Sequence, residues 1–81
     1  MKITITLTLR GTLVKFFNGK RDRQIEVPEG SSAEEALLAA GIDWKTIDSF
    51  GFVAINGKRV MITDLLADGD ELKAYSKISG G

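Results

Sequence analysis

Residues 23–41 read RQIEVPEGSSAEEALLAAG, and this stretch decides the fold. A strand over 23–27 is stopped by Pro28-Glu29-Gly30. Ser31 and Ser32 each stand three residues before a glutamate, Glu34 and Glu35, so either pair makes a capping box, the signature of a helix start. The glutamates also suit the positive end of the helix dipole. Ala33, Ala36, Leu37 and Ala40 follow helical spacing and form a narrow apolar face. Gly41 is a natural C-terminal stop. Small alanines let such a helix lie close to a sheet.

Upstream, residues 2–9 alternate strictly. Ile3, Ile5, Leu7 and Leu9 fall on one face and Thr4, Thr6 and Thr8 on the other, the period of a half-buried strand. Gly11 breaks it. Residues 13–17 are apolar, and Asn18-Gly19 is a hairpin-turn signal. Downstream, residues 42–51 connect, with Trp44 and Ile47 as plugs for one end of the core. Residues 52–55 read as a buried strand, Asn56-Gly57 as a second hairpin turn, and Arg59-Val60-Met61 as its return strand. Leu65 and Leu66 are expected in the core on a short turn. Asp68-Gly69-Asp70 is a tight turn. Residues 71–75 form the last strand, with Leu72 and Ala74 inward and Glu71, Lys73 and Tyr75 outward. The order is β-β-α-β-β-β, an α+β domain with one helix packed on a mixed sheet of four to five strands. Residues 1–75 make the domain and 76–81 a flexible tail.

Composition excludes several functions. Eighty-one residues leave room for one small core. Acidic and basic residues balance at 11 each, so no net charge draws the chain to nucleic acid or an anionic membrane. The one basic cluster, Lys20-Arg21-Asp22-Arg23, is short, interrupted by an acid, and reads as a solvated turn. The chain has no cysteine and no histidine. Thiol nucleophiles, disulfides, thiolate or histidine metal sites and a Ser-His-Asp triad are therefore impossible. No apolar run approaches the roughly 20 residues of a membrane span, and the opening residues carry no signal-peptide core. These points place the protein in the cytoplasm, without the usual equipment of a stand-alone enzyme.

The sequence ends in Gly80-Gly81. Without Cβ atoms, such a tail is narrow and can thread close to another protein's backbone, carrying its carboxylate into a partner's active site. Frayed ends are common, and this is the bland reading. Residues 76–81 span at most about 20 Å at roughly 3.3–3.6 Å each, enough to reach a buried site while the domain docks outside.

Four pieces together resemble a known family. They are Val27-Pro28-Glu29-Gly30-Ser31 leading into the helix, Val53-Ala54-Ile55-Asn56-Gly57, Leu66-Ala67-Asp68-Gly69-Asp70-Glu71-Leu72, and Ile78-Ser79-Gly80-Gly81. In this order they resemble the β-grasp, ubiquitin-like sulfur carriers of the MoaD/ThiS kind, closest to MoaD. Residues 15–23 match least. The resemblance implies that an E1-like adenylyltransferase of the MoeB/ThiF type uses ATP to adenylate Gly81, whose carboxylate becomes a thiocarboxylate. Lys77, Ile78, Ser79 and Gly80 would thread the partner's site. The sulfur would pass to molybdopterin through a MoaE-type synthase large subunit, or to the thiazole of thiamin through a thiazole synthase. The carrier itself would bind no cofactor or metal and catalyse nothing.

By alternation, Phe52, Ala54 and Tyr75 point away from the helix-covered core, next to the tail. They either anchor a partner or cover the sheet edge. Gly51 to Arg59 superficially looks like a phosphate loop, but Arg59 stands where Ser or Thr is required. Asp64, Asp68 and Asp70 lack the spacing of a calcium loop. Three functions stay open: sulfur carrier, protein modifier joined through Gly81 to a target lysine, and a β-grasp interaction domain with an inert tail.

Overall fold

The computed structural model describes residues 1–11, 13, 22–48 and 50–77. In chain order the elements are β1 Lys2–Leu9, β2 Asp22–Pro28, α1 Ala33–Ala39, β3 Phe50–Ile55, β4 Lys58–Val60 and β5 Glu71–Ser76. A single 3₁₀ turn, Trp44–Thr46, lies between α1 and β3. The sheet order is β2-β1-β5-β3-β4. β1 and β5 are parallel at its centre, and the other neighbours are antiparallel. The expected α+β architecture is the one the chain adopts. The apolar run over 13–17 and the Asn18-Gly19 turn fall almost wholly outside the described residues. Leu13, the exception, is buried in the core.

Alternation in β1 sends Ile3, Ile5, Leu7 and Leu9 into one cluster with Val27, Val53, Leu72 and Ala74 from the other strands. α1 closes that cluster with Ala33, Ala36 and Leu37. Burying one such leucine contributes about 1.5–3 kcal/mol. Thr4, Thr6 and Thr8 pair in register with Glu26, Gln24 and Asp22 on the opposite, helix-free face.

The helix starts at the second of the two possible capping boxes. Glu35 N–H donates to Ser32 Oγ at 3.2 Å, and Ser32 N–H donates to Glu35 Oε1 at 3.1 Å. Two more first-turn donors are satisfied from a distance. Ala33 N–H donates to the Asp64 carbonyl at 3.0 Å and Glu34 N–H to the Ile62 carbonyl at 2.8 Å. Helix starts leave such donors without intrahelical partners, so the segment around 62–64 is stapled to α1. At the other end Gly41, at φ 84°, ends the helix as expected, and Ile42 N–H donates back to the Leu37 carbonyl at 2.9 Å.

Four expectations need correction. Leu65 is 66% exposed, whereas Leu66 is 5% exposed and packs in the core. Leu65 bridges Ser32 and the Leu66 N–H donates to the Ser31 carbonyl, so the backbone is extended here. Adjacent residues of an extended segment face opposite sides, and only one of the pair can turn inward. The return strand stops at Val60, and Met61 lies outside it, exposed. Ser76, assigned to the tail, belongs to β5 and pairs with Phe50. β3 likewise begins earlier than residue 52, with an irregularity between Phe50 and Phe52. Trp44 and Ile47 do pack against the core, where Ile42 and Phe50 are buried more deeply.

Candidate functional site

Antiparallel pairing of β3 with β5 sets Phe52 opposite Tyr75 on the helix-free face. Their rings stack with centroids 4.7 Å apart and planes 13° from parallel. The Asn56-Gly57 turn, with φ 53° and 85°, returns the chain as a two-residue hairpin. That register places Arg59 opposite Ala54. The Arg59 guanidinium sits 4.6 Å from the Phe52 ring centroid, within cation–π range. Tyr75, Phe52 and Arg59 therefore form one continuous stack across three strands.

Of the three residues read from the sequence as a docking face, the structure brings Phe52 and Tyr75 together, both half-buried. Ala54 lies on the same face but is only 4% exposed. It is the floor between Arg59 and Lys73, its partners in β4 and β5, and offers no surface of its own. Arg59 is the member that sequence reading missed. The signal was present: a two-residue turn after Ile55 pairs Ile55 with residue 58 and Ala54 with residue 59. Lys73 on this face is engaged by Glu71 at 3.2 Å, a partly exposed pair that contributes little to stability.

The root of the tail is built by close backbone approach. A Cβ on Gly51 would lie 3.0 Å from the Ser76 carbonyl carbon and oxygen and from the Lys77 nitrogen. Glycine at 51 thus lets β3 bulge against the chain as it leaves β5. Lys77 follows, exposed, next to a cleft lined by Trp44, Ile47, Phe50 and Ile62. Ile78, Ser79, Gly80 and Gly81, the rest of the predicted threading segment and its reactive terminus, lie outside the described residues.

The acidic turn has a structural role. Asp68 Oδ1 accepts from Thr4 N–H at 2.8 Å, and Asp70 Oδ2 accepts from Ala67 N–H at 2.8 Å. Asn56 Nδ2 donates to Asp70 Oδ1 at 2.9 Å, while Glu71 N–H donates to Asn56 Oδ1 at 2.9 Å. The Asn-Gly turn and the Asp-Gly-Asp turn are thereby one unit, clamped through the side chain of Asn56. Among the described residues no group of three acidic side chains could hold a metal ion. No helix among them is long and apolar enough to cross a membrane.

No family model matches the chain. The protein RnfH of Cronobacter sakazakii is 39% identical over 56 residues, 65% of this chain and 58% of RnfH, so the match spans less than two thirds of that relative. Among solved structures, small archaeal modifier protein 1 from Haloferax volcanii superposes with a TM-score of 0.75 at 22% identity, covering 96% of this chain and 99% of its own. A putative molybdopterin converting factor, subunit 1, from Pyrococcus furiosus gives 0.73 at 18%, covering 94% and 99%. The small archaeal modifier protein 1 of Methanosarcina acetivorans gives 0.73 at 19%, covering 100% and 99%. At such identities the likeness establishes the fold, which is the ubiquitin-like β-grasp.

Proposed function

We propose that the chain is a ubiquitin-like sulfur carrier whose reacting group is the carboxyl of Gly81. The observation that carries this reading is the exit of the chain. β5 leaves the sheet at Ser76, beside the Phe52–Tyr75–Arg59 stack, and the next residues in sequence run to Gly80-Gly81. An aromatic face beside the strand that leads in sequence to two glycines suits a co-substrate that docks on one enzyme surface and threads its chain into the site. Support comes from a fold shared with a putative molybdopterin converting factor subunit and from a chain with no cysteine or histidine of its own.

The chemistry belongs to the partners. A carboxylate is a poor electrophile until one oxygen becomes part of a leaving group. In an E1-like adenylyltransferase of the MoeB/ThiF type, a Gly81 carboxylate oxygen attacks the α-phosphorus of ATP and pyrophosphate departs. A hydrosulfide equivalent supplied by a partner then attacks the acyl carbon and AMP departs, leaving the thiocarboxylate. The aromatic stack docks the domain while residues 77–80 thread the active site. The acceptor we favour is a MoaE-type synthase large subunit making molybdopterin, and the setting is the cytoplasm. A thiazole synthase making the thiamin precursor is the alternative acceptor. Which cofactor requirement appears when the protein is lost decides between them.

A second reading is favoured by the two neighbours described as small archaeal modifier proteins. In it a target lysine amine attacks the same acyl adenylate, giving an isopeptide bond. Intact mass of the chain isolated from its native cell tests both. Exchange of one terminal oxygen for sulfur is the result expected for the carrier. Larger adducts that disappear when Gly81 is deleted support the modifier. An unmodified chain with full function after removal of Gly80-Gly81 overturns both.

A further inference from the structure

The open face of the sheet is ordered by charge. Strand register sets Asp22, Thr8, Lys73, Ala54 and Arg59 in one row that crosses every strand. Asp22 and Glu26 stand at the β2 edge of that face and Arg59 at the β4 edge. The acids nearest the basic end are already engaged. Glu71 holds Lys73, and the Asp70 carboxylate accepts from Asn56 Nδ2 and from Ala67 N–H. Arg59 is exposed and differs from these groups. Among the described residues its guanidinium meets the Phe52 ring and no carboxylate or carbonyl oxygen.

We propose that Arg59 is a specificity-determining residue of the docking face, receiving a carboxylate side chain of the E1-like partner beside the Tyr75–Phe52 surface. The inference rests on the reading of this face as a docking surface. The Phe52 ring covers the guanidinium, whose N–H donors lie around its rim in a fixed fork. Two parallel donors of that fork match the two oxygens of a carboxylate. The stack holds the group before a partner arrives, so less side-chain freedom is lost on contact.

The charge order selects the ligand class. A phosphate chain laid along this face would meet Asp22, Glu26 and Glu71 as well as Arg59, and those acids repel it. A single carboxylate at the β4 edge meets the basic end alone. The same order fixes direction. Docking turned end for end would bring the partner's acid over Asp22 and Glu26, where like charges oppose it. Direction matters because β5 leaves the sheet at one end, Ser76.

The test is calorimetric titration of the full chain with the E1-like adenylyltransferase, without ATP, at about 0.1 M and about 1 M salt. Arg59→Met keeps a long side chain against Phe52 but has neither charge nor N–H donor. It should weaken binding about tenfold at the lower salt, the scale of one charge-assisted hydrogen bond. The gap should narrow at the higher salt, where the screening length falls from about 10 Å to about 3 Å. Arg59→Lys should lie between the two, since it keeps the charge without the fork. Tyr75→Ala is the control for the face. If Tyr75→Ala weakens binding and Arg59→Met does not, the inference is overturned and the docking face stands. A loss in Arg59→Met that is equal at both salts also overturns it, because packing on Phe52 is then what was removed. So does a single-stranded oligonucleotide that displaces the enzyme through Arg59. If Tyr75→Ala and Arg59→Met both bind as the parent does, the docking reading itself falls and the inference falls with it.

Discussion

The two faces of the sheet obey the same alternation and end in different uses. On the helix-covered face, Leu7, Leu9, Leu72 and Ala74 have no exposed surface and meet α1. On the open face, the threonines of β1 give way across β5 to the Tyr75–Phe52–Arg59 stack, whose aromatic members stay half-exposed. Strand periodicity alone divides residues between the faces. It does not say which face is a core and which stays open. The helix decides that, and its position follows from residues 28–41.

The comparison breaks most sharply if both faces respond alike to truncation. A domain of 81 residues has a stability of about 4–12 kcal/mol, taking roughly 0.05–0.15 kcal/mol per residue. Leu72→Ala deletes a fully buried side chain between β1 and β3 and should cost about 2–5 kcal/mol. Urea unfolding followed by circular dichroism should show a large fall in midpoint, or no folded baseline. A shift no larger than that of an open-face variant would mean that the helix side is not the main core.

Asn56→Ala comes next. It removes both side-chain bonds that join the two turns and puts alanine where the backbone has φ 53°. About 1–3 kcal/mol is expected, from an unsatisfied Asp70 and a left-handed conformation that alanine adopts poorly. Asn56→Gly separates the terms, since glycine relieves the strain but not the lost bonds. If the two variants unfold together, hydrogen bonding dominates the clamp.

Most of the fold was legible because its signals are local. The β1 period, the Ser32–Glu35 box, the Gly41 stop and the Asn56-Gly57 turn are each decided within a few residues, and each is in place. What was missed depends on distance along the chain. Leu65 and Leu66 look equivalent in sequence, and only the staple of 61–66 onto α1 tells which one turns inward. Arg59 looked like a failed phosphate-loop residue, yet hairpin register lays it on Phe52. Ala54 was assigned to the surface by alternation, but a methyl group between two long side chains is covered by them. Separate motifs also hid one structure, since the acidic turn and the Asn-Gly turn are 14 residues apart at the Asn56–Asp70 bond.

Ser32→Ala tests the element that chose between the faces. It removes the cap acceptor of Glu35 N–H and should cost about 1 kcal/mol. Glu35→Gln keeps a side-chain oxygen for the Ser32 N–H and should cost less. The measurement is thermal unfolding of both variants. An equal loss would show that the glutamate charge at the helix start matters as much as the bond to Ser32 Oγ.

The smallest stability effects, and the most telling functional ones, belong to the open face. Tyr75→Ala loses one stacked ring, about 0.5–1.5 kcal/mol beyond its buried area, and Arg59→Ala loses a partly exposed cation–π contact of about 0.5–1 kcal/mol. Both variants should remain folded at ambient temperature. If the stack is a docking anchor, Tyr75→Ala should slow adenylation by the cognate E1-like enzyme by about tenfold, the scale of a contact carrying roughly 1.4 kcal/mol. Arg59→Lys sharpens the point, because lysine keeps the charge but loses the planar group that lies over Phe52. If adenylation follows charge alone, Arg59→Lys behaves as the parent, and the stack is only the base that holds a cation outward. If it follows the plane, Arg59→Lys falls with Arg59→Ala, and the face is recognised as one flat surface. Unchanged adenylation in Tyr75→Ala would return the open face to a covering role, differing from the helix side only in lacking a helix.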